Sequence, residues 1–136
     1  MKLVVDANIL FAALARNGLT AKLCFSKSIQ LCAPEFILQE LEKHSQTLRK
    51  KFNGTDEEFE KMKNLLLKQV ELISDETLIP FTPAAASLIT DKKDWLYLAC
   101  ALKENADIWT HDAGFKEQKR VKVWTTEKLA EEVGKL

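Results

Sequence analysis

The chain has 136 residues, 46% of them apolar, and its 20 Lys and Arg balance 20 Asp and Glu to a formal net charge of zero. That length suits one domain over residues 1–136, and the apolar content supplies a core and argues against disorder. Neutrality argues against a protein that grips nucleic acid by bulk charge alone, but not against an acidic pocket offset by a basic rim. Cys24, Cys32 and Cys100 are odd in number and lack C-x-x-C spacing, so buried reduced thiols are expected rather than a disulfide or zinc site. The apolar stretch near Met1 is broken by Asp6 and Asn8, so neither a signal peptide nor a membrane span is expected, and the location expected is cytoplasmic.

Leu3-Val4-Val5 reads as a buried strand. A helix follows from Asn8 to Arg16, with Asn17-Gly18 as its C-cap. Thr20 is placed to cap a second helix running to Ser28. Ile29–Ala33 reads as the next strand, and Pro34 as the first position of a helix reaching Lys51. Asn53-Gly54 breaks the chain before Thr55 and Glu58 form a capping box. The helix they open presents Phe59, Met62, Leu65 and Leu66 on one face. Val70–Ile73 is a strand, Leu78–Phe81 a further extended piece, and Pro83–Leu88 a short helix. Asp91–Asn105 reads as helical, Asp107–Thr110 and Val121–Trp124 as strands, and Thr126 with Glu127 opens the last helix. Strands alternating with helices imply a parallel α/β sheet covered on both faces. Ligands of such sheets bind beyond the carboxyl ends of the strands.

Two expected strands run directly into acids there: Val5 into Asp6, and Thr110 through His111 into Asp112. Either aspartate alone would be read as a helix cap. Two at equivalent strand ends point to chemistry. On the helix from Pro34, Ile37, Leu41, His44 and Leu48 form a stripe, and Glu40 falls on it between Phe36 and His44, whereas Glu35 and Glu42 face away. A carboxylate facing the core needs a partner or a metal. His44 on the same stripe reads as a hydrogen-bonded core residue rather than a catalyst. Asp94 shares a face with Leu98 and Ala101 and is read as a ligand, with Asp91 as cap or outer support, an order the pattern leaves reversible. Carboxylates converging without cysteine suit an oxygen-preferring cation, magnesium or manganese. Such an ion would relieve their repulsion, position a phosphodiester and activate water.

The segments Val4–Leu10, Pro34–Glu42, Asp91–Leu102 and Ile108–Asp112, in this order and spacing, resemble the PIN-domain nuclease family across essentially the whole chain. The resemblance implies a three-layer α/β fold with a five-stranded parallel sheet in the order 3-2-1-4-5. It also implies a metal-dependent endoribonuclease whose acidic quartet is Asp6, Glu40, Asp94 and Asp112, with Asn8 and Thr110 as polar neighbours. His111 departs from the small residue often found there. Family members of this size resemble toxins of toxin–antitoxin pairs, which cut RNA and are silenced by an antitoxin protein. The alternative is a catalytically silent module that retains the fold and binds RNA or protein.

Rival α/β readings fit less well. A receiver domain would need paired acids after the first strand, and a haloacid-dehalogenase-type phosphatase would need Asp-x-Asp; Asp6-Ala7-Asn8 supplies neither. No glycine-rich phosphate loop occurs. Lys116, Lys119, Arg120 and Lys122 after Asp112, with Lys22 and Lys27 earlier, are candidates for a rim that contacts RNA phosphates. Phe11, Leu14, Leu23, Phe25 and Trp95 are apolar positions that one sheet leaves uncovered, so a homodimer through the early helices between Asn8 and Ser28 is expected.

Overall fold

The computed structural model describes residues 1–16 and 18–134. The strands are β1 (Lys2–Val5), β2 (Gln30–Pro34), β3 (Val70–Ile73), β4 (Asp107–Trp109) and β5 (Val123–Trp124). They form one parallel sheet in the order β3-β2-β1-β4-β5, as expected. The helices are α1 (Ala7–Ala15), α2 (Leu19–Cys24), α3 (Ile37–Lys43), α4 (Ser45–Lys51), α5 (Asp56–Lys68), α6 (Asp75–Leu78), α7 (Thr82–Leu88), α8 (Trp95–Glu104) and α9 (Thr126–Gly134). Short 3₁₀ turns occupy Ile79–Phe81, Lys92–Asp94 and Ala113–Glu117.

Side chains along a strand alternate between sheet faces. Leu3, Val4 and Val5 are nevertheless all fully buried, so β1 is covered on both sides. On one face α8 packs across β1, β2 and β4 and is backed by α6 and α7. On the other, α1 buries Ile9, Leu10, Ala13 and Leu14 and gathers α2, α3, α4 and α5 around it. Cys24, Cys32 and Cys100 are buried free thiols. No described helix is long and apolar enough to cross a membrane.

The Thr55–Glu58 capping box forms in both directions, at 3.1 Å and 3.0 Å. Several boundaries differ from the sequence reading. Pro34 is the last residue of β2, paired with Ile73, rather than the first of a helix. A proline has no N–H to give the ladder but can end a strand, and the next amide, Glu35, donates to Ile73 O at 2.9 Å. The single helix expected to Lys51 is broken at His44, whose backbone lies at φ −103°, ψ 8°. His44 is exposed rather than in the core, its ring 5.0 Å from that of Phe11. Gly18, not Thr20, is the N-cap of α2, which ends at Cys24. Leu78–Phe81 is helical rather than extended; the Thr77 and Thr82 hydroxyls bond Ser74 O and Ile79 O one turn back, and Pro80 occupies the first turn of the 3₁₀ segment. The Asn17-Gly18 cap rests partly on Asn17, outside the described residues.

The apolar residues singled out for an interface also divide. Leu14 and Leu23 belong to the chain's own core, at 2% and 5% exposure. Phe11 and Trp95 are half-buried, and the Trp95 indole N–H donates to Ile89 O at 3.0 Å. Phe25 alone of that group is exposed; Leu19, at the start of α2, is also exposed.

Removing the α5 cap tests the local reading without touching the strand ends. Thr55→Ala should cost about 1 kcal/mol, lowering the melting temperature by roughly 4 °C in thermal denaturation followed by circular dichroism.

Candidate active site

The β1–β4 register builds the site. Val5 pairs with Trp109, so the residues that follow, Asp6 and Thr110, emerge side by side at the carboxyl ends of adjacent central strands. Asp6 both caps α1 and lines the cleft. One carboxylate oxygen accepts from Ile9 N at 3.2 Å, and the other accepts from the Thr110 hydroxyl. That hydroxyl in turn accepts from the Asp112 amide at 2.9 Å, so Thr110 fixes both acids. Asp112 caps the 3₁₀ turn after it, accepting from Gly114 N at 2.8 Å.

Asp94 closes the 3₁₀ turn before α8 and is 9% exposed. Asp91, three residues earlier, is exposed and accepts from Lys93 N at 3.0 Å, which is a capping role. Gly114 sits where Asp94 and Asp112 approach. A Cβ there would stand 3.2 Å from Asp112 Oδ1 and 3.5 Å from Asp94 Oδ2, so a larger residue would crowd both. Glu40 on α3 completes the group, half-buried, and accepts from the Tyr97 hydroxyl.

Asp6, Glu40, Asp91, Asp94 and Asp112, together with Asn8, Lys93 and Tyr97, line one cleft of about 250 Å³. Larger clefts of about 660 and 390 Å³ exist elsewhere, but their walls carry a single carboxylate each, Glu127 and Glu58. The acidic cleft is therefore distinguished by its chemistry rather than by its size.

Electrostatics bear this out. Burial, then the negative charge of Asp112 and of Asp91, pushes Asp94 up to about 7, and a hydrogen bond shared with Asp112 and the charge of Asp6 add to it. Asp6 is raised chiefly by burial, against the hydrogen bonds from Thr110 and Ile9 that hold it down. Tyr97 is pushed up by burial and by its bond to Glu40, so its phenol keeps its proton and remains a donor. As they stand, no three His, Cys, Asp or Glu side chains among the described residues are drawn closely enough together to chelate an ion. One oxygen of Glu40, Oε1, is taken by the Tyr97 hydroxyl. The donors the cleft offers a ligand are nonetheless all oxygen, which matches a hard cation.

Two residues of this cleft, Tyr97 and Lys93, and one beside it, Gly114, escaped the sequence reading. Tyr97 lies three positions after Asp94, a spacing that puts both on one face of a helix and could have flagged it. Lys93 is the cation on the cleft wall. Gly114 carried no sequence signal, because its importance is a close approach made only in the folded chain. The basic residues that were singled out fall elsewhere. Lys116, Lys119, Arg120 and Lys122 line a shallow surface with Asp107 and Val123, the first residues of β4 and β5, at the opposite end of the strands from Asp6. His111 is tied to the first residue of α9, its Nε2 standing 2.5 Å from Thr126 Oγ1, which also accepts from the Trp109 indole at 3.1 Å.

A parallel sheet in this order with carboxylates lining a cleft beyond its central strands defines an α/β domain with an acidic cleft at the strand ends. The chain belongs to the PIN-domain family, whose model matches residues 4–134. Among solved structures, the chain is similar to VapBC2 from Rickettsia felis bound to a DNA fragment from its promoter, with a TM-score of 0.71, 17% identity, and 92% of this chain and 98% of that chain covered. It is likewise similar to a toxin–antitoxin complex from Klebsiella pneumoniae, with a TM-score of 0.69, 15% identity, and 91% and 97% covered. A Pyrobaculum aerophilum protein gives a TM-score of 0.68 at 13% identity, with 100% and 91% covered. At such identities these likenesses establish the fold alone. No curated protein sequence matches the chain.

The raised carboxyl of Asp94 makes stability pH-dependent. Its folded value of about 7 exceeds the ordinary 3.8, so its contribution is fully present below about pH 4 and is lost as the pH rises through about 7. Asp94→Asn should therefore stabilise the metal-free protein at pH 7.5, by the order of 1–2 kcal/mol and with a matching rise in melting temperature, and leave it nearly unchanged at pH 4. Scanning fluorimetry at the two pH values in chelator reads this directly.

Proposed function

We propose that the chain is a magnesium- or manganese-dependent endoribonuclease that hydrolyses RNA phosphodiester bonds at the cleft of Asp6, Glu40, Asp94 and Asp112. The observation that carries the reading is the convergence of these four carboxylates, from widely separated stretches of chain, on one cleft at the carboxyl ends of β1 and β4. Membership of the PIN-domain family supports a nuclease class of chemistry.

Asp6, Asp94 and Asp112 are the residues that would hold the cation, with Glu40 facing the same space. A bound divalent ion would supply Lewis-acid polarisation of the phosphoryl group and a lowered pKa for water. The chain's own side chains do the rest. Thr110 and the Ile9 amide keep the Asp6 carboxylate oriented, and Gly114 leaves room between Asp94 and Asp112. Asn8 and Lys93, on the cleft wall, are the groups available to meet a phosphate. Asp91 holds the turn that presents Lys93 and Asp94.

The physiological reading is that of a toxin held by an antitoxin in the cytoplasm. It draws on the likeness to VapBC2 from Rickettsia felis and to the toxin–antitoxin complex from Klebsiella pneumoniae. A homodimer belongs to the same reading, and Leu19 and Phe25, on and just after α2, are the exposed large apolar residues that the early helices offer for it. Sedimentation equilibrium at micromolar concentration should give twice the chain mass for the wild type and half that value for a Leu19→Glu/Phe25→Glu variant. A wild-type mass of one chain would remove the dimer.

Asp6→Asn and Asp112→Asn should each abolish metal-dependent cleavage of RNA while leaving the circular dichroism spectrum intact. Calorimetry with manganese should show binding to the wild type that Asp6→Asn weakens. Wild-type cutting rates in both variants would misplace the site, and absence of manganese binding would favour the silent-module alternative. For substrate binding, Lys93→Glu should flatten the salt dependence of RNA affinity more than Lys119→Glu with Arg120→Glu does, because only Lys93 lines the cleft. The reverse ranking would move the RNA path to the other end of the strands.

A further inference from the structure

Glu40 differs from the three aspartates in how it is held. Asp6 and Asp112 have short side chains fixed by backbone amides and by Thr110, and Asp94 is itself buried. Glu40 sits on a short helix, α3, is half-buried, and has one more rotatable bond. Among its neighbours one group restrains it, the Tyr97 hydroxyl, which donates to Oε1. Tyr97 is well suited to do so. It is 2% exposed, so its ring is rooted in the core. Phe36, one residue before α3, meets that ring edge-on at 6.5 Å between centroids. The tyrosine thus rises from α8, the helix that follows Asp94, and fixes a carboxylate on α3.

We propose that Tyr97 is the positioning residue of the acidic cleft: by occupying Glu40 Oε1 it holds that carboxylate facing the cleft with its second oxygen free for a divalent cation. The inference rests on the reading of the cleft as a cation site. A bland role exists for comparison, in which the buried phenol finds in Glu40 a partner it needs for its own sake. The two roles differ in what happens to the cleft when the hydroxyl alone is removed. Outer hydrogen bonds that orient a metal ligand are worth roughly 10–100-fold in metal affinity. A phenol that is satisfied for its own sake contributes to stability and leaves cation affinity unmoved.

The experiment measures manganese affinity by calorimetry, or by the loss of free-ion electron paramagnetic resonance signal, in the full chain without substrate. Four proteins are compared: wild type, Tyr97→Phe, Glu40→Gln and the double variant. Tyr97→Phe keeps the ring and its contact with Phe36, and each protein is measured well below its own melting temperature. The expected result is a loss of roughly tenfold or more in Tyr97→Phe, a loss at least as large in Glu40→Gln, and no further loss in the double variant. Wild-type affinity in Tyr97→Phe alongside weakened binding in Glu40→Gln overturns the positioning role and leaves the cation site standing. Losses that simply add in the double variant overturn it too, because the two residues would then act independently. A wild type that binds no manganese overturns the cation reading and the proposal with it.

Discussion

Like charges held together out of water repel, and the arrangement at the end of β1 and β4 depends on how that repulsion is contained. Asp6, Asp94 and Asp112 are buried or half-buried within one cleft, and Asp94 is pushed up to about 7 by burial and by its neighbours. The chain contains this partly by hydrogen bonding. Thr110 serves as the hinge of the arrangement, since one hydroxyl donates to Asp6 and accepts the Asp112 amide. A valine of the same shape would leave an Asp6 oxygen and an amide without partners, which is costly in a buried site. The rest is contained by packing. Fully buried Leu3, Val4, Val5, Ile108 and Trp109 lock the β1–β4 register that sets the acids side by side.

Much of this was legible in the sequence, and the reason is local. Each of the two aspartates follows closely on a short β-branched or aromatic run, and a strand buried on both faces is nearly continuous in apolar residues. Once Val5 and Trp109 are strand residues, the positions of Asp6 and Thr110 follow from the alternation of the fold. The capping box at Thr55 and Glu58 is likewise a matter of four consecutive residues, and it formed as read. Asp91 could be read as a cap because Asp is short and its acceptor reaches an amide two residues on.

What was not legible depends on contacts between distant residues. Pro34 fits the start of a helix and the end of a strand equally well by local rules. Its pairing with Ile73 on β3 decided the matter. The break at His44 has no glycine or proline to announce it. Leu14 and Leu23 looked surplus because the sequence does not say how many helices crowd α1. The basic run after Asp112 looked adjacent to the site because it is adjacent in the chain. The 3₁₀ turn at Ala113–Glu117 carries it back along the strands, so that Lys119 and Arg120 finish beside Asp107.

That last displacement bears on how a neutral chain could work on RNA. The cleft walls carry Asp6, Glu40, Asp91, Asp94 and Asp112 against one ammonium, that of Lys93. A phosphodiester approaching such a cleft meets net negative charge, and in a pocket of lowered dielectric the repulsion between unit charges at about 4 Å is on the order of several kcal/mol. Lys93 alone does not invert that field. In the proposed reading, therefore, the cation is needed for the substrate to enter as well as for the chemistry. Asp6, Glu40, Asp94 and Asp112 would hold that cation, its charge would offset the field of the carboxylates, and a variant unable to hold it would then lose substrate affinity along with turnover. The same field explains why neutrality of the whole chain is informative. Charge placed at the far end of the strands does little inside the cleft across more than a Debye length of about 8 Å, so within the cleft Lys93 is the side-chain cation that opposes the carboxylates.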